Sequence, residues 1–130
     1  IVGIAGLYAA LGWVLETTVD VLCKKEKENR NRLLNILHNY WFIKVVGNYP
    51  GNQYVGIVSC LIDGMSSDSA GTIFDKAGVA VRTGLQCAPL AHEFMQTYPA
   101  GTIRFSTSYF TTEEDYQALI NVLDYIEENL

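Results

Sequence analysis

Two segments rich in β-branched and aromatic residues stand on either side of the short sequence NYPGN: IKVVG at 43–47 and QYVGIVSCLI at 53–62. Residues of these types favour strands, and Pro50-Gly51 is a strong turn signal. Two strand-forming segments that flank a turn predict a β-hairpin. We therefore expect part of the core to rest on an antiparallel sheet that the remainder of the chain covers.

Helical patterns precede this hairpin and follow it. Apolar residues recur at helical spacing over 4–19, and residues 17–20 offer an N-cap for a second helix. Near the end of the chain, Thr111 and Glu114 fit the capping-box pattern that opens a helix. The apolar face of that last helix is predicted to consist of Tyr116, Leu119, Ile120, Leu123 and Ile126.

The middle of the chain mixes both patterns. A helix that one of two serines caps is predicted over 66–77, and a short helix begins at Pro89, because proline suits the first helical turn. VAVR at 79–82 and TIRFS at 102–106 have the composition of short strands.

The order of these elements predicts an α+β fold: a small antiparallel or mixed sheet with helices packed on one face. Residues 1–38 form the leading helices, and residues 39–130 form a β-β-α-β-β-α core. Because no internal linker or repeat interrupts the chain, we expect a single domain over 1–130.

Composition narrows the classes of function. The chain has 130 residues, 49% of them hydrophobic, which is enough for one domain with a packed core. The net charge is −5, and no basic run stands apart from acidic residues. That charge balance argues against a nucleic-acid partner.

The N-terminus and the cysteine count bear on location. The apolar stretch before Glu16 is shorter than the roughly 20 residues of a membrane helix, and it lacks the basic start of a signal peptide. Three cysteines do not form a disulfide framework, so we expect a reducing, cytoplasmic setting. The chain begins within a helical pattern, without Met or a cap, and is expected to be a piece of a longer protein.

Cys87 is the first candidate for chemistry. A thiol is nucleophilic as its thiolate, which nearby cations and helix N-termini stabilise. Arg82 precedes this cysteine by five residues, Gly84 permits a tight exposed loop, and the Pro89 helix starts directly afterwards. The alternative is a small apolar side chain buried beneath a turn. These local residues leave both interpretations open.

The other cysteines and the histidines suit structural roles. Cys23 lies on a helical stripe and Cys60 in a strand, so both are predicted to be core residues. His92 is predicted at the surface or at a helix cap, and His38 at a helix end. The spacing of these residues matches no metal-binding motif, so no metal site is expected.

Arg104 is the second candidate residue. In the predicted strand it shares a face with Thr102 and Ser106, opposite Ile103 and Phe105. An arginine can hold a carboxylate through two parallel hydrogen bonds. The alternative is an exposed strand arginine on a solvent face.

Taken together, these motifs resemble a known family. GVAVRTGLQCAPLAH at 78–92, followed by GTIRFSTSYFTTEEDYQALINVL at 101–123, resembles the C-terminal part of class V aminotransferases, closest to cysteine desulfurases and selenocysteine lyases. GIAGLYAALGWVLE at 3–16 is similar to the helix that leads into the small domain of those enzymes. The chain is thus identified as resembling their C-terminal small domain.

This resemblance implies a mechanism. Such enzymes use pyridoxal phosphate, held by a lysine of a large N-terminal domain, and remove sulfur from L-cysteine to give alanine and an enzyme persulfide. Cys87 aligns with the cysteine that accepts the sulfur, Arg104 with the arginine that grips the substrate carboxylate, and Arg82 with a supporting arginine beside the active-site loop. A sulfur-acceptor protein and a homodimer of the full-length enzyme are implied partners.

Departures from the family pattern matter as well. Gln86 stands where the family often has histidine. The five lysines lack the His-Lys context of the cofactor lysine, so the chain alone is expected neither to bind pyridoxal phosphate stably nor to turn over substrate. Two alternatives stay open: the small domain of another class V aminotransferase or lyase, in which Cys87 is incidental, and a stand-alone binding or sulfur-carrier module.

Overall fold

The computed structural model describes residues 1–130. Five helices and three strands follow one another along the chain: α1 Val2–Thr17, α2 Val19–His38, β1 Ile43–Val46, β2 Ile57–Ile62, α3 Ser67–Lys76, α4 Pro89–Phe94, β3 Ile103–Ser106 and α5 Glu113–Asn129.

The three strands form one antiparallel sheet in the order β1-β2-β3. Cys60 of β2 lies opposite Val45 of β1 and Ile103 of β3, which fixes the register. Because successive side chains of a strand point to opposite faces, one face of the sheet carries the apolar residues. The predicted hairpin and the α+β class are both confirmed.

The apolar face packs against α2, α3 and α5. The phenyl rings of Phe74 and Phe105 meet edge to face with their centroids 5.3 Å apart. Each of these helices places its apolar stripe on the sheet, as expected of amphipathic helices. The least exposed core side chains are Leu33, Leu37, Phe42, Cys60, Phe74, Ile103, Leu123 and Ile126.

α1 stands apart from this core. The chain bends by 83° between α1 and α2, at Thr18, whose φ is +72°. No residue of α1 is buried. Its contact with the body of the chain includes the Trp13 ring, which lies 5.4 Å from the rings of both Tyr109 and Phe110. None of the helices taken singly is both long and apolar enough to cross a membrane, although α1 and α2 together pass that test as a bent pair.

Of two predicted strands, one does not form and the other is shorter in the structure. Residues 79–82 do not form a strand, and only Arg82 pairs with β3, as an isolated bridge. The Val79 N–H donates to the Phe74 carbonyl as α3 ends, so the chain leaves the helix before it can align with the sheet. β2 begins at Ile57 rather than at 53, because the Gly56 N–H donates to the Glu26 carboxylate and not to a neighbouring strand.

The capping box at the start of α5 lies one residue later than predicted. Thr112 accepts from the Asp115 N–H, and the Asp115 carboxylate accepts from the Thr112 N–H at 2.8 Å. Thr111 cannot serve as the cap because its Oγ1 accepts from the Ser108 N–H in the preceding turn. The prediction of Thr111 and Glu114 was therefore wrong by one position.

Replacing Thr112 by alanine is expected to lower the free energy of unfolding by about 1 kcal/mol, since one N-terminal N–H of α5 loses its acceptor. Thr112→Ser keeps a hydroxyl and should stay close to the unchanged chain. Urea denaturation followed by circular dichroism measures both. Equal losses in the two variants would show that the hydroxyl does not cap α5.

Candidate functional site

Arg82 and Arg104 lie side by side at the edge of the sheet. The Arg82 N–H donates to the Arg104 carbonyl at 3.1 Å, and the Arg104 N–H donates to the Arg82 carbonyl at 2.7 Å. Residues that exchange both backbone hydrogen bonds in an antiparallel pair project their side chains on the same face. Ser59 of β2 is the neighbour of Arg104 in the same row. The two guanidinium groups therefore share the sheet face opposite the helices.

This arginine pair has no acidic partner. The ion pair of the chain joins Arg32 and Glu113, away from this face. The Nε of Arg104 is buried without a hydrogen-bond partner. Like charges placed directly opposite each other in a sheet repel, and a buried unpaired donor is costly. An anion held between the two guanidinium groups would relieve both penalties, and a carboxylate matches their geometry.

The segment that carries Cys87 is a loop whose two ends touch. The Thr102 N–H donates to the Gly84 carbonyl at 3.2 Å. Gly101 has a φ of +72°, and a Cβ at this position would come within 2.6 Å of the Gly84 Cα. Only glycine fits there, because a side chain would be strained and would overlap the opposite backbone. Residues 85–100 thus form a compact loop of the Ω type, anchored beside the arginine pair.

A buried histidine holds the interior of this loop together. His92 is only 9% exposed, and its Nδ1 lies 2.6 Å from the Thr97 Oγ1. The Thr97 N–H also donates to the His92 carbonyl at 2.8 Å. The prediction of a surface or capping histidine was wrong. α4 has only six residues, and it turns Leu90 and Phe94 outward while His92 points inward.

Cys87 is exposed at the tip of a strained turn. Gln86 and Cys87 have φ angles of +52° and +62°, so two consecutive non-glycine residues occupy the left-handed region. Each such residue costs about 1–2 kcal/mol. Strain of this kind persists where the surroundings hold it, and it concentrates at functional sites. The alternative of a thiol buried beneath a turn is excluded.

The other two cysteines differ from each other. Cys60 is fully buried, and desolvation raises the pKa of its thiol to about 12. Cys23 is exposed, so its prediction as a core residue was wrong. The reason is that the buried residues of α2 begin only at Asn29, and the first part of this helix extends past the sheet.

A cavity of about 250 Å³ lies between the loop and the sheet face that carries Ser59 and Thr102. Sequence reasoning did not foresee this cavity, because its walls come from two strands and from both ends of the loop. The one sequence feature that could have indicated a site here was the short separation of His92 from Cys87 along the chain. The cavity is lined by Val46, Gly47, Ser59, Gln86, Ala91, His92, Met95, Thr97 and Thr102.

Charged and metal-binding groups elsewhere do not form a second centre. No group of three or more His, Cys, Asp or Glu side chains lies close enough together to hold a metal ion. None of the five lysines is buried. The residues that can recognise a small anion are therefore the arginine pair, and the accessible nucleophile beside them along the chain is Cys87.

Comparison with known proteins gives a consistent result. The sequence profile described as "Aminotransferase class-V" matches residues 1–119. The chain is 31% identical to a probable cysteine desulfurase of Aeropyrum pernix over an alignment of 130 positions, which covers 97% of this chain and 31% of that protein. It is also 31% identical to a probable cysteine desulfurase of Xylella fastidiosa over 124 residues, 95% of this chain and 29% of that protein.

Solved structures show the same fold. A cysteine desulfurase from Thermococcus onnurineus superposes with a TM-score of 0.84 at 20% identity, over 96% of this chain and 30% of the other. A cysteine desulfurase from Escherichia coli gives a TM-score of 0.77 at 22% identity, over 98% and 31%. The chain therefore spans about a third of the length of the relatives it matches.

Native thiol accessibility is the first test of this geometry. At pH 8 we expect Ellman's reagent to modify two of the three cysteines, Cys23 and Cys87, because Cys60 is buried and its pKa of about 12 keeps it protonated. All three should react in guanidinium chloride. The absorbance of the product released from the reagent gives the number of thiols that have reacted. A native count of three would contradict the burial of Cys60, and a count of one would contradict the exposure of either Cys23 or Cys87.

The position of Cys87 relative to the arginine pair can be tested with two alkylating reagents. Iodoacetate is an anion and iodoacetamide is neutral, so the ratio of their rates at one thiol reports the local positive potential. Arg104→Gln should lower this ratio at Cys87 about twofold, as expected when one nearby charge, screened by water and salt, is removed. Mass spectrometry resolves Cys87 from Cys23, whose ratio should not change. An unchanged ratio at Cys87 would place the thiol beyond the reach of the pair.

Proposed function

Because this chain belongs to the class-V aminotransferase family, we propose that it is the C-terminal small domain of a pyridoxal-phosphate-dependent cysteine desulfurase. The whole enzyme would remove sulfur from L-cysteine and leave alanine and a persulfide on Cys87. The observation that carries this proposal is an exposed cysteine on a closed loop, whose ends meet beside two arginines that have no acidic partner. The named relatives and the shared fold support it.

The arginine pair is proposed to bind the substrate carboxylate. Arg104 has an unused Nε donor on the sheet face, and Arg82 brings a second cation to the same row. A fork of parallel N–H groups matches the two oxygens of a carboxylate. In this proposal Arg104 makes the bidentate contact, and Arg82 adds electrostatic support from the more exposed side.

Cys87 is proposed to accept the sulfur. Its thiolate attacks the sulfur of L-cysteine, so that a new S–S bond forms while the C–S bond of the substrate breaks. The electron pair of that C–S bond stays on the carbon, which takes up a proton and becomes the methyl group of alanine. The transferred sulfur is oxidised and the carbon is reduced, so no external oxidant is required. Exposure of Cys87 would then let an acceptor protein collect the sulfur.

The residues present do not form a site for pyridoxal phosphate. The lysines lie on α2, β1 and α3, and none is enclosed near the arginine pair. The cofactor, with the carbanion stabilisation it supplies, is therefore assigned to the large domain of the longer enzyme. For the same reason we propose that the chain alone neither retains the cofactor nor turns over L-cysteine.

The unburied α1 helix fits this arrangement. Apart from Trp13, which packs against Tyr109 and Phe110, its apolar side chains are largely exposed, and a further domain of the same enzyme would cover them. The proposal also includes a homodimer of the whole enzyme, formed mainly by that domain. It further includes a reducing cytoplasmic setting, in which Cys87 stays available as a thiol.

The decisive substitution is Cys87→Ser in the longer protein that contains this chain. Sulfide release from L-cysteine in the presence of a reducing thiol should fall by roughly a thousandfold or more, because the nucleophile is lost. Cys23→Ser, which also removes an exposed thiol, should leave the rate unchanged. Retained sulfide release in Cys87→Ser would favour another class V enzyme in which Cys87 is incidental.

A further inference from the structure

We propose that the side chain of Gln86 is a positioning element: it ties the strained turn that carries Cys87 to strand β3 through Thr102. This inference rests on the proposed role of Cys87 as the sulfur acceptor. It adds a residue that touches neither substrate nor cofactor and acts through the conformation of its neighbour.

The contacts of Gln86 cross the base of the loop. Its Nε2 lies 3.3 Å from the Thr102 Oγ1, 3.4 Å from the Thr102 carbonyl and 3.4 Å from the Arg82 carbonyl. Thr102 is only 2% exposed, so one side of this contact is fixed in the packed interior. A single amide thus reaches both chain segments that meet in the bridge between Arg82 and Arg104.

The backbone of the turn needs such a tie. Gln86 and Cys87 both occupy the left-handed region, which disfavours residues with a Cβ. Within the turn, the Ala88 N–H donates to the Leu85 carbonyl at 2.9 Å, and this single bond spans both strained residues. Two adjacent outliers are retained only when further contacts hold them. The amide of Gln86 is the side-chain group that makes those contacts.

The tie also determines where Cys87 points relative to the cations. Thr102 precedes Arg104 by two residues, so their side chains share one face of the strand. Gln86 must extend over that face to reach the Thr102 hydroxyl. With Gln86 held there, the next residue along the chain is held at the edge of the arginine face. If this contact is released, the turn can relax to ordinary φ angles and carry the thiol away.

Amide chemistry suits this position better than an acid of the same shape. The acceptors around Nε2 are two backbone carbonyls and one hydroxyl, so the side chain has to donate hydrogen bonds. A glutamate would place a carboxylate against those carbonyl oxygens. Gln86→Glu is therefore expected to release the turn even though the side chain keeps its size.

The experiment uses this chain and two readouts at Cys87. The first is the backbone conformation, from the three-bond HN–Hα coupling and the Cα and Cβ chemical shifts in NMR spectra. The second is the iodoacetate-to-iodoacetamide rate ratio, which reports the potential of the arginine pair at the thiol. We expect Gln86→Ala, Gln86→Glu and Thr102→Val to remove the left-handed signature and to lower the ratio about twofold.

Matched variants separate positioning from general loop stability. Thr102→Ser keeps the hydroxyl acceptor and should give the same two readouts as the unchanged chain. Gln96→Ala removes another glutamine of the same loop that has a positive φ of +57°, and it should change neither readout at Cys87. Urea denaturation confirms that each variant is folded. An unchanged conformation or an unchanged ratio in Gln86→Ala overturns the inference. Failure of the proposed function is a different result, retained sulfide release in Cys87→Ser, and leaves these two readouts intact.

Discussion

The reciprocal backbone pairing of Arg82 and Arg104 is the contact on which the arrangement of the site depends. It is a single bridge outside the regular strands, yet it joins the end of the segment after α3 to the last strand of the sheet. Two residues after Arg82 and three residues before Arg104, the same approach brings Gly84 and Gly101 together. The loop between these glycines consequently starts and ends at one point. Its cysteine is exposed on a loop whose two ends meet beside these arginines.

The two faces of the sheet have different roles. The helix-covered face supplies the hydrophobic burial that drives folding, and it hides Cys60 completely. The opposite face holds Arg82 and Arg104 without an acidic partner, and the Arg104 Nε is buried without a hydrogen bond, which a stable isolated domain would tend to avoid. A protein tolerates such groups where a ligand completes them. The unpaired arginines are therefore better explained by binding than by stability.

Sequence patterns predicted most of the architecture and only part of the site. The hairpin followed from strand-forming composition on both sides of the Pro50-Gly51 turn signal. The terminal helices followed from local periodicity, because each pattern repeats over enough residues to identify its apolar face. The predicted strand at 79–82 failed because the Val79 N–H is used by the Phe74 carbonyl at the C-terminus of α3 and not by the sheet. The exposure of Cys23 was missed because periodicity marks the apolar side of α2 but does not tell how far the sheet extends beneath it. Burial of His92 depends on Thr97 and on the closure of the loop, which no local pattern encodes.

The isolation of α1 has a consequence for how the chain folds. A helix of 16 residues that buries no side chain gains little from tertiary packing, and helices of this length are marginal in water by themselves. The cooperative folding unit of the chain therefore begins near the bend at Thr18, and the segment before it is held to this unit by the packing of Trp13 against Tyr109 and Phe110. Amide hydrogens of α1 should exchange with solvent long before those of α2 and α5. The chain would then consist of one rigid body and one helix whose stability depends on the surface that it packs against.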